Sequence, residues 1–244
     1  MSAAKTLGRV FRENFGMHLA WLPLTSSLSL GDYGVWRGGV FAPLGNVAEF
    51  GVSICRQHGD ETSLDFISAG AASVGLNAAE RSGLKRLGGR AEVCLRFDRA
   101  DACVVRVGRL TSERITNVAR LARDLSEQRG WRTRYKVITE LFTGEDVLLL
   151  VASEKGTEIE LRGKLCGGLR SADAGIEVKA SKRLGLEING GGGPIGLKVC
   201  RIRISGTPAL AFSDLEDLGK GTELSELIEE GMREEPLDDS SESA

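Results

Sequence analysis

No apolar run in this 244-residue chain is long enough to cross a bilayer as a helix. The longest, Val147-Leu148-Leu149-Leu150-Val151-Ala152, falls far short of the ~20 residues a spanning helix needs. Aromatic residues are scarce, at 5%, and histidine occurs only at His18 and His58, which leaves little for imidazole-based catalysis or metal binding. The five cysteines, Cys55, Cys94, Cys103, Cys166 and Cys200, are odd in number and lack a framework spacing, so reduced thiols are expected rather than disulfides. Residues 1 to 14 place Lys5, Arg9, Arg12 and Glu13 among the apolar positions, unlike the unbroken core and small-residue cleavage site of a secretory signal. The expected location is the cytosol.

What the chain does have is a 41% hydrophobic composition, enough for one large domain or two small ones, and an uneven distribution of charge. The net charge of −2 averages two opposed parts. Residues 213 to 244 hold twelve acidic residues against Lys220 and Arg233, a local −10, so the remainder, with 30 basic and 22 acidic residues, carries +8. A cationic body attracts phosphate-rich partners, and a tethered anionic segment competes for the same surface. Anionic lipid and nucleic acid both fit that description, and a solvated acidic terminus explains the tail equally well.

Patterning along the chain predicts the elements. Leu7, Val10, Phe11 and Phe15 recur at helical spacing with Lys5, Arg9 and Arg12 between them, which predicts a basic amphipathic helix over 2–15 ended by Gly16. Residues 18 to 24 read as extended, 25 to 27 as a turn, and the glycine-dense stretch 28 to 52 as short strands and tight turns with an exposed Trp36. Alternation over 91–98 and 103–107 around Arg99-Ala100-Asp101 predicts an antiparallel hairpin. Thr111 or Ser112 is placed to cap a helix through Gln128, with Ile115, Val118, Ala119, Ala122 and Leu125 as its stripe.

Beyond that helix, 135–141 and 145–152 read as two strands around a Thr143-Gly144 turn, and 158–162, 176–181 and 184–188 as three more. The glycines 190 to 193 before Pro194 are not followed by a helix, so a hairpin turn is expected rather than a phosphate loop. The last strand, 195 to 204, slips phase between Val199 and Ile202, which suggests a bulge. In the tail, Leu224, Leu227, Ile228 and Met232 make one apolar face on an acidic helix expected to dock on the basic body, with residues 234 to 244 disordered.

These elements imply an α+β fold: a strongly twisted, mainly antiparallel sheet flanked by helices over 2–15 and 111–128, in a body of residues 1–212 followed by an acidic segment of 213–244. Cys55-Arg56-Gln57-His58 offers two of the four ligands of a structural zinc and no second pair lies at suitable spacing, so neither a metal nor another cofactor is expected. The alternating strands have two explanations. A sheet with one wet face is one. Strands that turn an apolar side to lipid and a mixed-charge side to a water-filled lumen are the other, and need about 9 to 11 alternating residues.

The order of these features resembles the pore-forming domain of the gasdermin family. The resemblance rests on the opening basic helix, the Leu22-Pro23-Leu24 and Ser27-Leu28 segments, the alternating hairpin and the 111–128 helix. Above all it rests on Tyr135-Lys136-Val137-Ile138-Thr139-Glu140-Leu141, similar to the family's aromatic-Val-Val-Thr-Glu-Val strand. It spans most of residues 3 to 205, and a short C-terminal segment in place of a large domain is similar to bacterial members. One departure is that bacterial members typically carry an acylated cysteine near the N-terminus, whereas none precedes Cys55 here.

The resemblance implies a soluble monomer restrained by Leu224, Leu227, Ile228 and Met232 and released by a protease, with Lys220 and Arg233 as cleavage candidates. The freed body would bind anionic lipid through Lys5, Arg9, Arg12 and Trp36 at the cell inner membrane and form a homo-oligomer. It would extend hairpins near 64–107 and 146–189 into a β-barrel pore that kills the cell in defence. The competing expectation is a non-enzymatic module whose basic face engages nucleic acid or a protein under control of the tail. An enzyme built on Cys55 and His58 is the third.

Overall fold

The computed structural model describes residues 3–20, 27–37, 40–74, 90–164, 177–202 and 208–210. Helix α1, Ala3–Phe15, forms where the sequence pattern places it. Its apolar face is buried through Leu7, Val10 and Phe11, and Gly16, at φ +61°, ends it. β1 (His18–Leu19) follows, then a hairpin of β2 (Asp32–Arg37) and β3 (Val40–Asn46) that closes on a 3₁₀ turn over Val47–Phe50. β4 (Arg56–His58), β5 (Thr62–Ile67), β6 (Ala71–Val74), β7 (Arg90–Phe97) and β8 (Cys103–Ile115) come next, and then α2 (Val118–Ser126). The rest is strand: β9 (Lys136–Ala152), β10 (Thr157–Lys164), β11 (Glu177–Ala180), β12 (Leu184–Asn189), β13 (Gly192–Ile202) and β14 (Pro208–Leu210).

The fold is α+β, mostly antiparallel strand with two helices. Ten strands form one large sheet around β8 and β9, and four form a smaller one in the order β11-β10-β7-β6. The core has three compartments. One lies under α2 around Leu121, Leu125, Val137 and Ile138, and a second under α1 around Phe11, Val105, Leu149 and Ile195. The third lies between the two sheets around Phe97, Leu148, Leu150 and Ile159.

Four expectations from the sequence are corrected. The helix expected from 111 begins only at Val118, because β8 runs on to Ile115 with Thr111 opposite Thr143 and Ser112 opposite Phe142. Ile115, counted into the helical stripe, is a buried strand residue of the same core, so one apolar spacing served two elements. The two strands expected around Thr143-Gly144 are one 17-residue strand, β9. Gly144 is required there by close packing, since a Cβ would meet Val107 and Val147 at 2.9 Å.

Glycines 190 to 193 do not reverse the chain either. Asn189 faces Leu148 and Gly192 faces Glu145, so β12 and β13 continue in one register along the same edge of β9. Gly190 and Gly191, at φ +87° and +74°, kink that edge opposite Asp146, itself at +53°. Finally, among the described residues β7 and β8 do not pair with each other: β7 lies between β6 and β10, and β8 between β4, β5 and β9. The turn at 99–101 carries the chain from one sheet to the other. The bulge expected in the last strand occurs at Lys198–Val199.

Candidate functional site

The chain passes between the two sheets four times, through residues 68–70, 98–102, 153–156 and 181–183. Those passages join β5 to β6, β7 to β8, β9 to β10 and β11 to β12. In the large sheet the joined strands run in the order β5-β8-β9-β12, and in the small sheet their continuations run β6-β7-β10-β11. Neighbours in one sheet are therefore neighbours in the other. Residues 56–74, 90–115, 136–164 and 177–202 are four long strands of one antiparallel ribbon, folded across a common seam.

Hydrogen bonds lace adjacent strands together through the bend. The Ser68 amide donates to the Cys103 carbonyl at 3.0 Å and the Cys103 amide to the Ser68 hydroxyl at 2.8 Å. The Asp101 amide donates to the Ala152 carbonyl at 3.0 Å and the Gly156 amide to the Phe97 carbonyl at 2.7 Å. On the far side the Ser181 amide donates to the Glu158 carbonyl at 2.8 Å, and Lys182 Nζ to the Lys155 carbonyl at 2.9 Å. Gly70, Asp101 and Gly156 turn the chain at φ +90°, +67° and +73°.

The register matches best in the middle. Phe97 faces Thr157 beyond the seam and Cys103 faces Val151 before it, so the two central strands are separated by equal intervals of six residues. At both edges the outer strand is shorter: Ile67 to Ala71 spans four residues against seven from Phe97 to Val104, and Ala180 to Leu184 spans four against seven from Ala152 to Ile159. The central pair can zip straight through the seam without slipping, whereas the edge strands must gain three residues each.

Side-chain alternation agrees with this geometry. Leu95 and Phe97 beyond the seam share odd parity with Cys103, Val105 and Val107 before it. Val147, Leu149 and Val151 likewise share it with Ile159 and Leu161 on the neighbouring strand. In the folded molecule those two sets face different cores, the inner set under α1 and the outer set between the sheets. Laid straight, they line one face. The opposite face beyond the seam holds Arg96 and Glu158, both exposed.

Helix α1 lies over the seam. The Thr6 hydroxyl donates to the Asp101 carboxylate at 3.4 Å, and a Cβ at Gly185 would lie 3.3 Å from that of Ala3. Phe15 packs edge-on against Phe66 with centroids 5.4 Å apart. Lys5 and Arg9 are exposed and Arg12 is half-buried, so three cations ride on the helix that covers the bend.

Trp36, expected to be exposed, is not grouped with them. It is half-buried at the opposite end of the large sheet, where its strand meets β9 at Lys136 and Val137. There it packs 4.6 Å from the His18 ring and 5.8 Å from Phe41, with Lys136 Nζ 5.9 Å from its ring centre. Its Nε1 is buried without a hydrogen-bond partner. At the same end lies a cluster that sequence reading missed: Tyr33, Phe50, Trp131 and Tyr135, with centroids 5.3 to 5.8 Å apart. Burial, and then the nearby Glu49 carboxylate, raises the Tyr33 phenol above its usual pKa. No local spacing announces this cluster, because its rings come from three separate segments.

Cys55 is exposed ahead of β4, and His58 at the end of that strand has its Nε2 3.8 Å from Glu113. Among the described residues no three His, Cys, Asp or Glu side chains are grouped to hold a metal ion, and no helix is long and apolar enough to cross a membrane. Leu224, Leu227, Ile228, Met232, Lys220 and Arg233 lie outside the described residues, as does the whole 213–244 segment. No protein-family model matches this chain, and no curated protein matches its sequence.

Proposed function

We propose that this is an autoinhibited pore-forming protein of the kind the gasdermin resemblance implies. The observation that carries this reading is the folded four-strand ribbon, whose order is preserved across the seam and whose apolar residues fall on one face when it straightens. A straight ribbon satisfies its backbone hydrogen bonds strand to strand, and lateral closure of many copies removes its edges, the two conditions hydrocarbon imposes on a spanning β structure. β7 and β10, at eight residues each, reach the ~9 to 11 needed to cross a bilayer once the seam residues join them.

In this reading Lys5, Arg9 and Arg12 draw α1 to anionic lipid, and the seam beneath α1 opens toward the membrane. The 64–107 and 146–189 segments extend as two hairpins, and copies associate into a barrel in the inner membrane. The acidic segment opposes this by occupying the cationic body until a protease cuts it, with Lys220 and Arg233 as candidate positions and Leu224, Leu227, Ile228 and Met232 as its holding face. The chemistry is physical rather than catalytic: neither a cofactor nor a covalent step is involved, and the outcome is loss of the membrane barrier and cell death.

The test is dye release from anionic liposomes by the full-length chain, by the chain lacking residues 214–244, and by protease-treated protein. The expected result is silence from the first and release by the other two. No release by either activated form contradicts the proposal.

A further inference from the structure

From the cross-strand register of the small sheet we infer that the pore passes cations and anions with nearly equal ease, and that Glu158 and Glu160 set this balance. The inference rests on the pore reading and adds the permeability of its lumen.

The face of β7, β10 and β11 opposite the apolar one is a ladder of complementary charges. Arg96 stands opposite Glu158, Glu92 opposite Arg162, and Glu160 opposite Lys179. Each rung sums to zero. Arg90 opposite Lys164 is a like-charged rung toward the outer end. Two carboxylates balance it: Glu177 opposite Arg162, and Asp98, whose Oδ1 lies 3.1 Å from Arg96 Nε. The antiparallel pairing that holds these rungs is internal to each sheet, so straightening the seam leaves them facing one another.

Opposite charges directly across a strand pair stabilise the sheet by up to ~1 kcal/mol each, which is the ordinary reason for such a ladder. Its consequence for a pore is different. Rings of one charge sign make a channel select against ions of that sign. A subunit whose lumen face sums to zero contributes no ring charge, however many copies close the barrel. Glu158 and Glu160 are adjacent rungs on the central strand, so reversing both adds four positive charges per copy to one belt.

The experiment uses full-length protein activated by limited proteolysis in planar bilayers between 10 and 100 mM KCl, where screening is weak. The wild type is expected to show K⁺ and Cl⁻ permeabilities within about twofold of each other. The variant Glu158→Lys/Glu160→Lys should favour Cl⁻ by at least about fivefold, and Glu158→Gln/Glu160→Gln should shift the same way by less. Inverting one rung, Arg96→Glu with Glu158→Arg, should leave the wild-type ratio in place. Strong selectivity in the wild type, or conductance in which neither Glu158/Glu160 variant shifts the ratio, overturns the inference while leaving the pore reading intact. Absence of any conductance contradicts the pore reading itself, and this inference with it.

Discussion

Thr6 on α1 donates a hydrogen bond to Asp101, the left-handed residue at the bend between β7 and β8. The contact joins the lipid-seeking helix to the passage that must straighten if the ribbon is to open. Alongside it, Ala3 meets Gly185 just past the last of the four passages. One helix therefore covers the seam from its second strand to its fourth.

That arrangement makes α1 a point of control. The Cβ separation of 3.3 Å between Ala3 and position 185 lies just inside the ~3.5–4.5 Å usual for a disulfide. The pair Ala3→Cys/Gly185→Cys should close on oxidation and raise the melting temperature. It should slow dye release by activated protein at least about tenfold, since a disulfide typically contributes ~2–4 kcal/mol. Reductant added to the same vesicles should restore release.

Two buried residues separate opening of the seam from general instability. Phe97 is fully buried between the sheets, and Leu125 fully buried beneath α2. Truncation to alanine at either site should cost ~2–5 kcal/mol. Only Phe97→Ala removes packing that the straightened ribbon gives up anyway. It should speed release by activated protein, whereas Leu125→Ala, with a comparable drop in melting temperature, should not.

The cations of α1 should act on binding rather than on folding. Lys5 and Arg9 are exposed, so Lys5→Glu/Arg9→Glu should leave the melting temperature within about a degree or two of wild type. At roughly 1 kcal/mol for each cation near an anionic surface, co-sedimentation with anionic vesicles should weaken by at least about 25-fold. Neutral vesicles should show no such difference.

Thiol chemistry reports on the folded body independently of lipid. Cys55 is exposed and Cys200 buried, and burial pushes the Cys200 thiol from 9.0 up to about 11. At pH 8 iodoacetamide should alkylate Cys55 well before Cys200, as read by peptide mass mapping. The linkage sign follows from the raised pKa: Cys200 favours the folded state fully below pH 9, and that contribution is lost as pH rises from 9 toward 11. Cys200→Ala should flatten the stability profile in that alkaline window.

Much of the body was legible in the sequence because period-2 and period-3.6 patterns survive wherever one face is buried. Leu7, Val10 and Phe11 give α1 its exact register of buried positions, and β10, β11 and β12 lie within a residue or two of their alternating runs. The seam was not legible. Arg99-Ala100-Asp101 and the turn before Thr157 have the composition of hairpin turns, and nothing local tells a chain reversing within a sheet from one leaving it for another. The same blindness produced the false turns at Thr143-Gly144 and at Gly190-Gly191. There the glycines serve close packing and a kink inside paired strands, a distinction made only by the partners on either side. Trp36 was misjudged for a related reason: its burial comes from His18, Phe41 and Lys136, which its own neighbours do not announce.

The most direct test of the central claim is a distance along β9 and β10. Spin labels at Glu145→Cys and Glu160→Cys, in an otherwise cysteine-free chain, flank the third passage through the seam. In the soluble protein the strand doubles back, and double electron–electron resonance should give a separation below about 30 Å, whereas a straight strand at ~3.3 Å per residue places the labels about 50 Å apart. Activated protein on anionic vesicles should show the longer distance appearing together with dye release. Release that proceeds while the short distance persists would contradict the account.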